Sequence, residues 1–291
     1  MRKRSFLAVA ALSLIFLGCK SMPSGTGRKV RVAELLDNSS GFYIAIPKSA
    51  DADLIERIIK NSVTGISDSD VRLISGRIDK IYCGLNRRKN HVDIQAAIDA
   101  SVPVRMIPRI LSARNGWERR AYVAGSSNQY DVYSYDSLEM AFPSAEICCI
   151  GRGMPFMLEK FDAISRLPSD DSTALHEIPG SLFDYLEGAA DEIRFYALTP
   201  QSFLTILTGT QLNLNLVEVR GSFAQDPKFQ SQYILNLNFA FKNETMLKAG
   251  RAILMLAFGL TNSQGIEERG NELAIKGIKL DKNQLYKLLA L

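Results

Sequence analysis

Residues 41–62 read GFYIAIPKSADADLIERIIKNS, and this stretch sets the fold class. Phe42 to Ile46 is a short apolar run closed by Pro47, a residue that cannot donate to the middle of a ladder, and it reads as a strand. Asp51 to Ser62 reads as a helix, with Leu54, Ile55, Ile58 and Ile59 on one stripe and Glu56, Arg57 and Lys60 opposite. The same opening recurs 153 positions later, where Phe195-Tyr196, Pro200 and Ser202 match Phe42-Tyr43, Pro47 and Ser49. Each copy runs strand, proline, helix.

Working outward, the pattern predicts strand over Val71 to Leu85 and over His91 to Ile98. A helix follows from Val102 to Ala113, with Pro103 in its first turn and Pro108 as a kink. Strand returns over Arg119 to Ala124 and within Asp131 to Ile150, and Pro155 opens a helix that runs to Ser165. The second copy continues with strands over Leu212 to Phe223 and Gln232 to Phe241. A helix from Glu244 to Leu260 capped by Asn243, a strand from Glu272 to Leu280 and a C-terminal helix from Asp281 complete it. The class is therefore α/β in the mixed, α+β sense: a tandem duplication of a β-α-β-β-α-β-like module, with mainly antiparallel sheets packed by amphipathic helices.

Residues 166–191 change character, with Pro168, Asp170, Asp171 and Pro179-Gly180 around one short helix from Leu182 to Leu186. The expected organisation is a signal peptide over 1–18, a lipidated tether over 19–40, an N-terminal module over 41–165, a linker over 166–191 and a C-terminal module over 192–291.

The first segment carries the expectation of export. Arg2, Lys3 and Arg4 precede an apolar run from Phe6 to Leu17, which has the length of a signal peptide and is short for a bilayer span. The run ends in Phe16-Leu17-Gly18-Cys19, which resembles a bacterial lipobox of the relaxed spirochaetal kind, with Phe16 where Leu is commonest. The resemblance implies cleavage before Cys19 and acylation of its thiol and new amine, and Lys20 in place of Asp points to the outer membrane. Several acyl chains give stable anchoring where one does not.

The chain holds 35 basic and 31 acidic residues, and the first eighteen hold three of the bases and no acid. The mature protein is therefore close to neutral, which excludes the concentrated basic face of a nucleic-acid binder. Beyond Cys19 there are three cysteines. Cys83 could pair with Cys148 or with Cys149, but three small buried hydrophobes is the favoured reading.

No catalytic constellation emerges, and the chain is read as no enzyme, with no metal and no cofactor. His176-Glu177 begins like a zinc-protease helix, but the second His is missing and Pro179-Gly180 would break the helix. His91 lies in a basic turn. Gly151-Arg152-Gly153 could place an anion at a helix start, yet the third glycine of a dinucleotide loop is replaced by Phe156. Tyr122, Tyr130, Tyr133 and Tyr135 cluster with Trp117 around one hairpin and read as a sheet face packed on a helix.

The apolar helices remain. Glu244 to Leu260 is apolar nearly all round, and Val102 to Leu111 is amphipathic, with Arg105 and Arg109 on one side. Core packing is the favoured reading of both. The functional alternative makes Val102, Ile107, Leu111, Ile253 and Met255 membrane-contact residues, presented when the helices leave the core. Membrane lipid is then the partner. A competing class is a periplasmic carrier that holds a lipid or other apolar ligand between the two modules.

The relaxed lipobox, the mixed α/β body and the amphipathic helices together resemble the concealed outer-membrane lipoprotein family of treponemes. That resemblance implies an α/β/α fold on the periplasmic face of the outer membrane, whose amphipathic helices enter the inner leaflet and perturb permeability. It implies no catalytic residue.

Overall fold

The protein is described from a computed structural model, which covers residues 28–62, 67–87, 92–103, 105, 107–126, 128–136, 138–168, 180–209, 211–212, 214–229, 231–259 and 265–288. Cys19, the signal segment, His91, His176 and the middle of the expected linker lie outside the described residues.

Strand β1 (Phe42–Pro47) leads into helix α1 (Ala52–Ser62), as the opening stretch predicts. Asp51 starts the helix, its carboxylate accepting from Leu54 N at 3.0 Å. Helix α2 (Asp68–Ser75) follows and corrects the expected strand over Val71 to Leu85, which begins only at β2 (Ile78–Arg87). Ser67 decides this locally: its hydroxyl accepts from Asp70 N at 3.1 Å and starts the helix over a β-branched sequence.

Strand β3 (Val92–Ala100) is followed by a second correction. The helix expected over Val102 to Ala113 is a single turn, α3 (Ile107–Ile110). Val102 stays extended, its N–H held by Ala145 O at 2.7 Å, and Pro108 is accommodated in the first turn of this short helix, where no amide donor is needed. Next come β4 (Glu118–Val123), β5 (Gln129–Tyr135), β6 (Leu138–Ala141) and β7 (Ile147–Gly151), then α4 (Met154–Ser165), which has Pro155 in its first turn. The remaining elements are α5 (Gly180–Glu187), β8 (Ile193–Ala197), α6 (Pro200–Thr208), β9 (Leu216–Gln225), β10 (Gln232–Phe241), α7 (Glu244–Ala257), β11 (Ile266–Arg269), β12 (Glu272–Asp281) and α8 (Lys282–Leu288).

The chain forms two compact units: one holds Ile55–Phe183 with the chain up to Ser39, the other Ser40–Leu54 with Asp184–Leu291. β1, expected to open the N-terminal module, thus belongs with the C-terminal elements. It pairs antiparallel with β8, Tyr43 opposite Tyr196. The sheet of the first unit runs β2-β3-β7-β6-β5-β4, and that of the second runs β11-β12-β10-β9-β8-β1. Within each unit the paired strands run antiparallel.

In the second unit β10 alternates strictly, with Tyr233, Leu235, Leu237, Phe239 and Phe241 buried on one face. Phe195 anchors an aromatic cluster beside it, 4.8 Å from Phe203, 5.2 Å from Phe223 and 5.7 Å from Phe42 between ring centroids.

In the first unit the expected tether needs a third correction. Residues 28–40 are part of the folded body. Arg28 N donates to Leu167 O at 3.0 Å, a turn of 3-10 helix spans Val32–Leu35, and Ala33, Leu35 and Leu36 are fully buried. Lys160 of α4 donates to Leu36 O and to Asn38 Oδ1, both at 2.6 Å. Buried Glu34 pairs with Arg28 at 3.1 Å. Val30, Ala33, Leu35 and Leu36 are the apolar side chains by which the body holds this stretch.

All three cysteines are free thiols. Cys83 lies opposite Ala96, which lies opposite Ile150; Cys148 shares that face two residues on, while Cys149 points away. With β3 between them, Cys83 and Cys148 sit roughly 10 Å or more apart, beyond disulfide reach. Burial pushes the Cys83 and Cys149 thiols up to about 12 and Cys148 well above its ordinary value.

Candidate membrane-contact surface

α7 starts where Asn243 accepts from Met246 N at 2.9 Å. Leu247, Gly250 and Leu254 face inward at helical spacing and are buried against β10 and β12. Gly250 makes the approach possible, because a Cβ there would lie 2.3 Å from the Phe241 ring. The Phe258 ring packs tilted against Phe239 with centroids 6.4 Å apart, and Arg251 pairs with Glu268 at 2.7 Å.

The opposite side of the same helix is apolar too. Ala249, Ala252, Ile253 and Leu256 fall at i, i+3, i+4 and i+7, and all four are exposed. Ile253 keeps 41% of its surface open and Leu256 84%. Met246 and Met255 flank the stripe and are half-buried. α7 therefore carries two apolar stripes, and the expectation of a core helix holds for only one of them. No helix among the described residues is long and apolar enough to cross a membrane.

The other sequence-derived candidates lie in the first unit. Ile107 is buried at 5% exposure, while Val102 and Leu111 are half-buried. Of the five candidates, the structure puts Ile253 and Met255 together on one helix. Leu256, the most open apolar side chain of that helix, was not among them. Its position at i+3 from Ile253 was the available signal.

The polar clusters are built differently. In the second unit a depression of about 270 Å³ is lined by Lys48, Ser49, Asp51, Asp53, Gln225 and Lys282. Buried Asp51 accepts from the Tyr233 hydroxyl, and Lys282 Nζ sits 2.9 Å from Asp53 and 3.6 Å from Asp51. Burial, with the bond to Asp51, pushes the Tyr233 hydroxyl up. In the first unit the β4–β5 hairpin is fastened to α4 by two carboxylates. Glu159 accepts from Tyr122 Oη at 2.7 Å and from Gly125 N at 3.1 Å. Asp162, 1% exposed, accepts from Ser126 Oγ and Asn128 Nδ2, both at 2.6 Å, from Tyr130 Oη at 3.3 Å and from Arg166. No group of three His, Cys, Asp or Glu side chains among the described residues is placed to hold a metal ion.

Comparison with solved structures finds the same fold in TP0453. Crystal form I is 17% identical with a TM-score of 0.65, covering 90% of this chain and 97% of that one. Form III is 18% identical at 0.65 and form IV 18% identical at 0.63, each covering 90% of this chain and 98% of its own. A search of curated proteins gives no match. The family model of the outer membrane-associated lipoprotein TP0453 matches residues 27–286, nearly the whole described chain, and the protein belongs to that family.

Proposed function

We propose that this outer-membrane-associated lipoprotein is anchored through acylated Cys19 and docks on the inner leaflet through the outward stripe of α7, loosening the bilayer there. The observation that carries the reading is Leu256 and Ile253 standing open on a helix that is already held in place by its other face. A 14-residue helix is about 21 Å long and lies in an interface without crossing it. Moving both side chains into acyl chains contributes about 3 kcal/mol. The role is a non-enzymatic one.

Flotation with vesicles tests it. The protein should rise with neutral vesicles and bind with little dependence on salt, because the mature chain is nearly uncharged. Ile253→Glu with Leu256→Glu should weaken binding of the unacylated body about tenfold or more, and Met255→Glu less. These positions are exposed or half-buried, so the fold should survive the exchange. A body that stays at the bottom of the gradient in every lipid overturns the docking reading. An apolar molecule seen by native mass spectrometry would favour the carrier instead.

The two halves are further proposed to descend from one duplicated module. Three features support this: the 153-residue offset, the placement of Tyr43 opposite its counterpart Tyr196, and the matching strand orders β2-β3-β7-β6 and β9-β10-β12-β11.

A further inference from the structure

Two sheet edges are open. β4 ends the sheet of the first unit and β11 ends that of the second, and each has one neighbour among the described strands. Such an edge offers unpaired backbone groups to another strand. β4 begins Glu118-Arg119-Arg120-Ala121 and is almost wholly exposed; β11 reads Ile266-Glu267-Glu268-Arg269, with its three charged residues exposed.

Laid antiparallel, these two strings complement each other at every charged position. Glu118 meets Arg269, Arg119 meets Glu268, Arg120 meets Glu267, and Ala121 meets Ile266. A slip of one or two residues in either direction sets at least one like-charged pair opposite, which is unfavourable. Over the same four residues, β4 paired with itself sets Arg119 against Arg120 and β11 paired with itself sets Glu267 against Glu268, whereas the full-length β4 self-pairing, Glu118 against Val123, brings no opposite charges together.

The charges behind each edge extend the match. Within one chain Arg119 pairs with Asp131 and Arg120 with Glu139, both at 2.7 Å. Glu268 pairs with Arg251 and Glu267 with Lys276, also at 2.7 Å. Joining the edges would produce two ladders of alternating sign, Asp131–Arg119–Glu268–Arg251 on one face and Glu139–Arg120–Glu267–Lys276 on the other.

We infer that the β4 edge of one copy of this protein pairs antiparallel with the β11 edge of a second copy. The contact is heterologous, using two different surfaces, so the first copy retains a free β11 edge and the second a free β4 edge for further copies. It is independent of the membrane-docking reading, since neither edge includes the outward stripe of α7.

Disulfide trapping tests the register on the full chain in a mild non-ionic detergent. One chain carries Arg119→Cys and the other Glu268→Cys, both with Cys19→Ser and Cys83→Ala, since Cys83 is only half-buried whereas Cys148 and Cys149 are buried. Under mild oxidation the mixture should give a covalent dimer that neither chain gives alone, in smaller yield at high salt. Adding Arg120→Glu to the first chain should lower the yield severalfold, and adding Glu267→Arg to the second should restore it. A second pair, Arg120→Cys with Glu267→Cys, reads the same register from the other face. The inference is overturned if neither pair traps above the level given by Arg119→Cys with Lys248→Cys, or if yield ignores the charge exchange.

Discussion

Asp162 shows how one residue can hold a hairpin. Burial by itself would raise its carboxyl. The hydrogen bonds from Ser126, Arg166 and Asn128 and the Arg166 charge outweigh that and keep it below the ordinary carboxylate range. A carboxyl that titrates lower in the folded chain than in the unfolded one stabilises the fold fully above about pH 5, and the contribution is lost as the pH falls through the folded value. Protection from hydrogen exchange at the β4–β5 turn, taken relative to the intrinsic rate at each pH, should therefore fall on acidification below about pH 4, while protection in β10 is kept. Asp162→Ala leaves several donors without their acceptor and should cost about 1–3 kcal/mol, seen as a lower thermal midpoint. Gly250 makes the opposite point, since what matters there is the side chain it lacks. Gly250→Ala sets a methyl group against the Phe241 ring and should cost about 1–3 kcal/mol by overpacking. If α7 works by leaving its seat, the same substitution should increase binding of the unacylated body to vesicles. A loss of stability with unchanged binding would mean that α7 docks without moving.

At the scale of elements, the legible parts of the sequence were those whose signal is local and redundant. β10 alternates without a break, α7 has Asn243 at its start, and Pro155 and Pro200 each sit in the first turn of a helix. α2 was misread because Val71, Leu73 and Ile74 suit a strand as well as a helix; the deciding signal was Ser67 with Asp70 three residues on. The one-turn α3 was overextended because an amphipathic spacing was weighed above two prolines that each restrict the residue before them. β11 was not anticipated at all. With one apolar residue in four it has no alternation to find, as suits an edge strand facing water. The candidate surface was half legible. Composition shows that α7 is apolar all round, but which stripe is covered depends on β10 and β12, far away in sequence. The spacing from Ile253 pointed to Leu256, but only the packing on β10 and β12 shows that stripe to be the open one. The three thiols illustrate the same limit: β3 was readable as a strand, whereas its place between Cys83 and Cys148 was not.

For the molecule as a whole, an acyl anchor at Cys19, as proposed, would make the bond from Arg28 N to Leu167 O the limit on how far the body stands from the membrane. Only nine peptide links separate Cys19 from Arg28, so even fully extended they reach about 32 Å. A leash of that length allows no free roaming. With the proposed anchor it would confine the neighbourhood of Arg28 and the end of α4 to a shallow layer above the leaflet that holds the acyl chains. A dye on Lys29→Cys, an exposed neighbour of that bond, should transfer energy efficiently to an acceptor in the lipid headgroups when the chain is acylated. A flexible insertion of about twenty residues before Arg28 should abolish most of that transfer while leaving the membrane affinity conferred by the acyl chains intact. Under the proposed anchoring the leash would set the local concentration of the body in this layer, so every weak surface on it, including its two charged edges, would meet the leaflet and neighbouring copies far more often than in free solution.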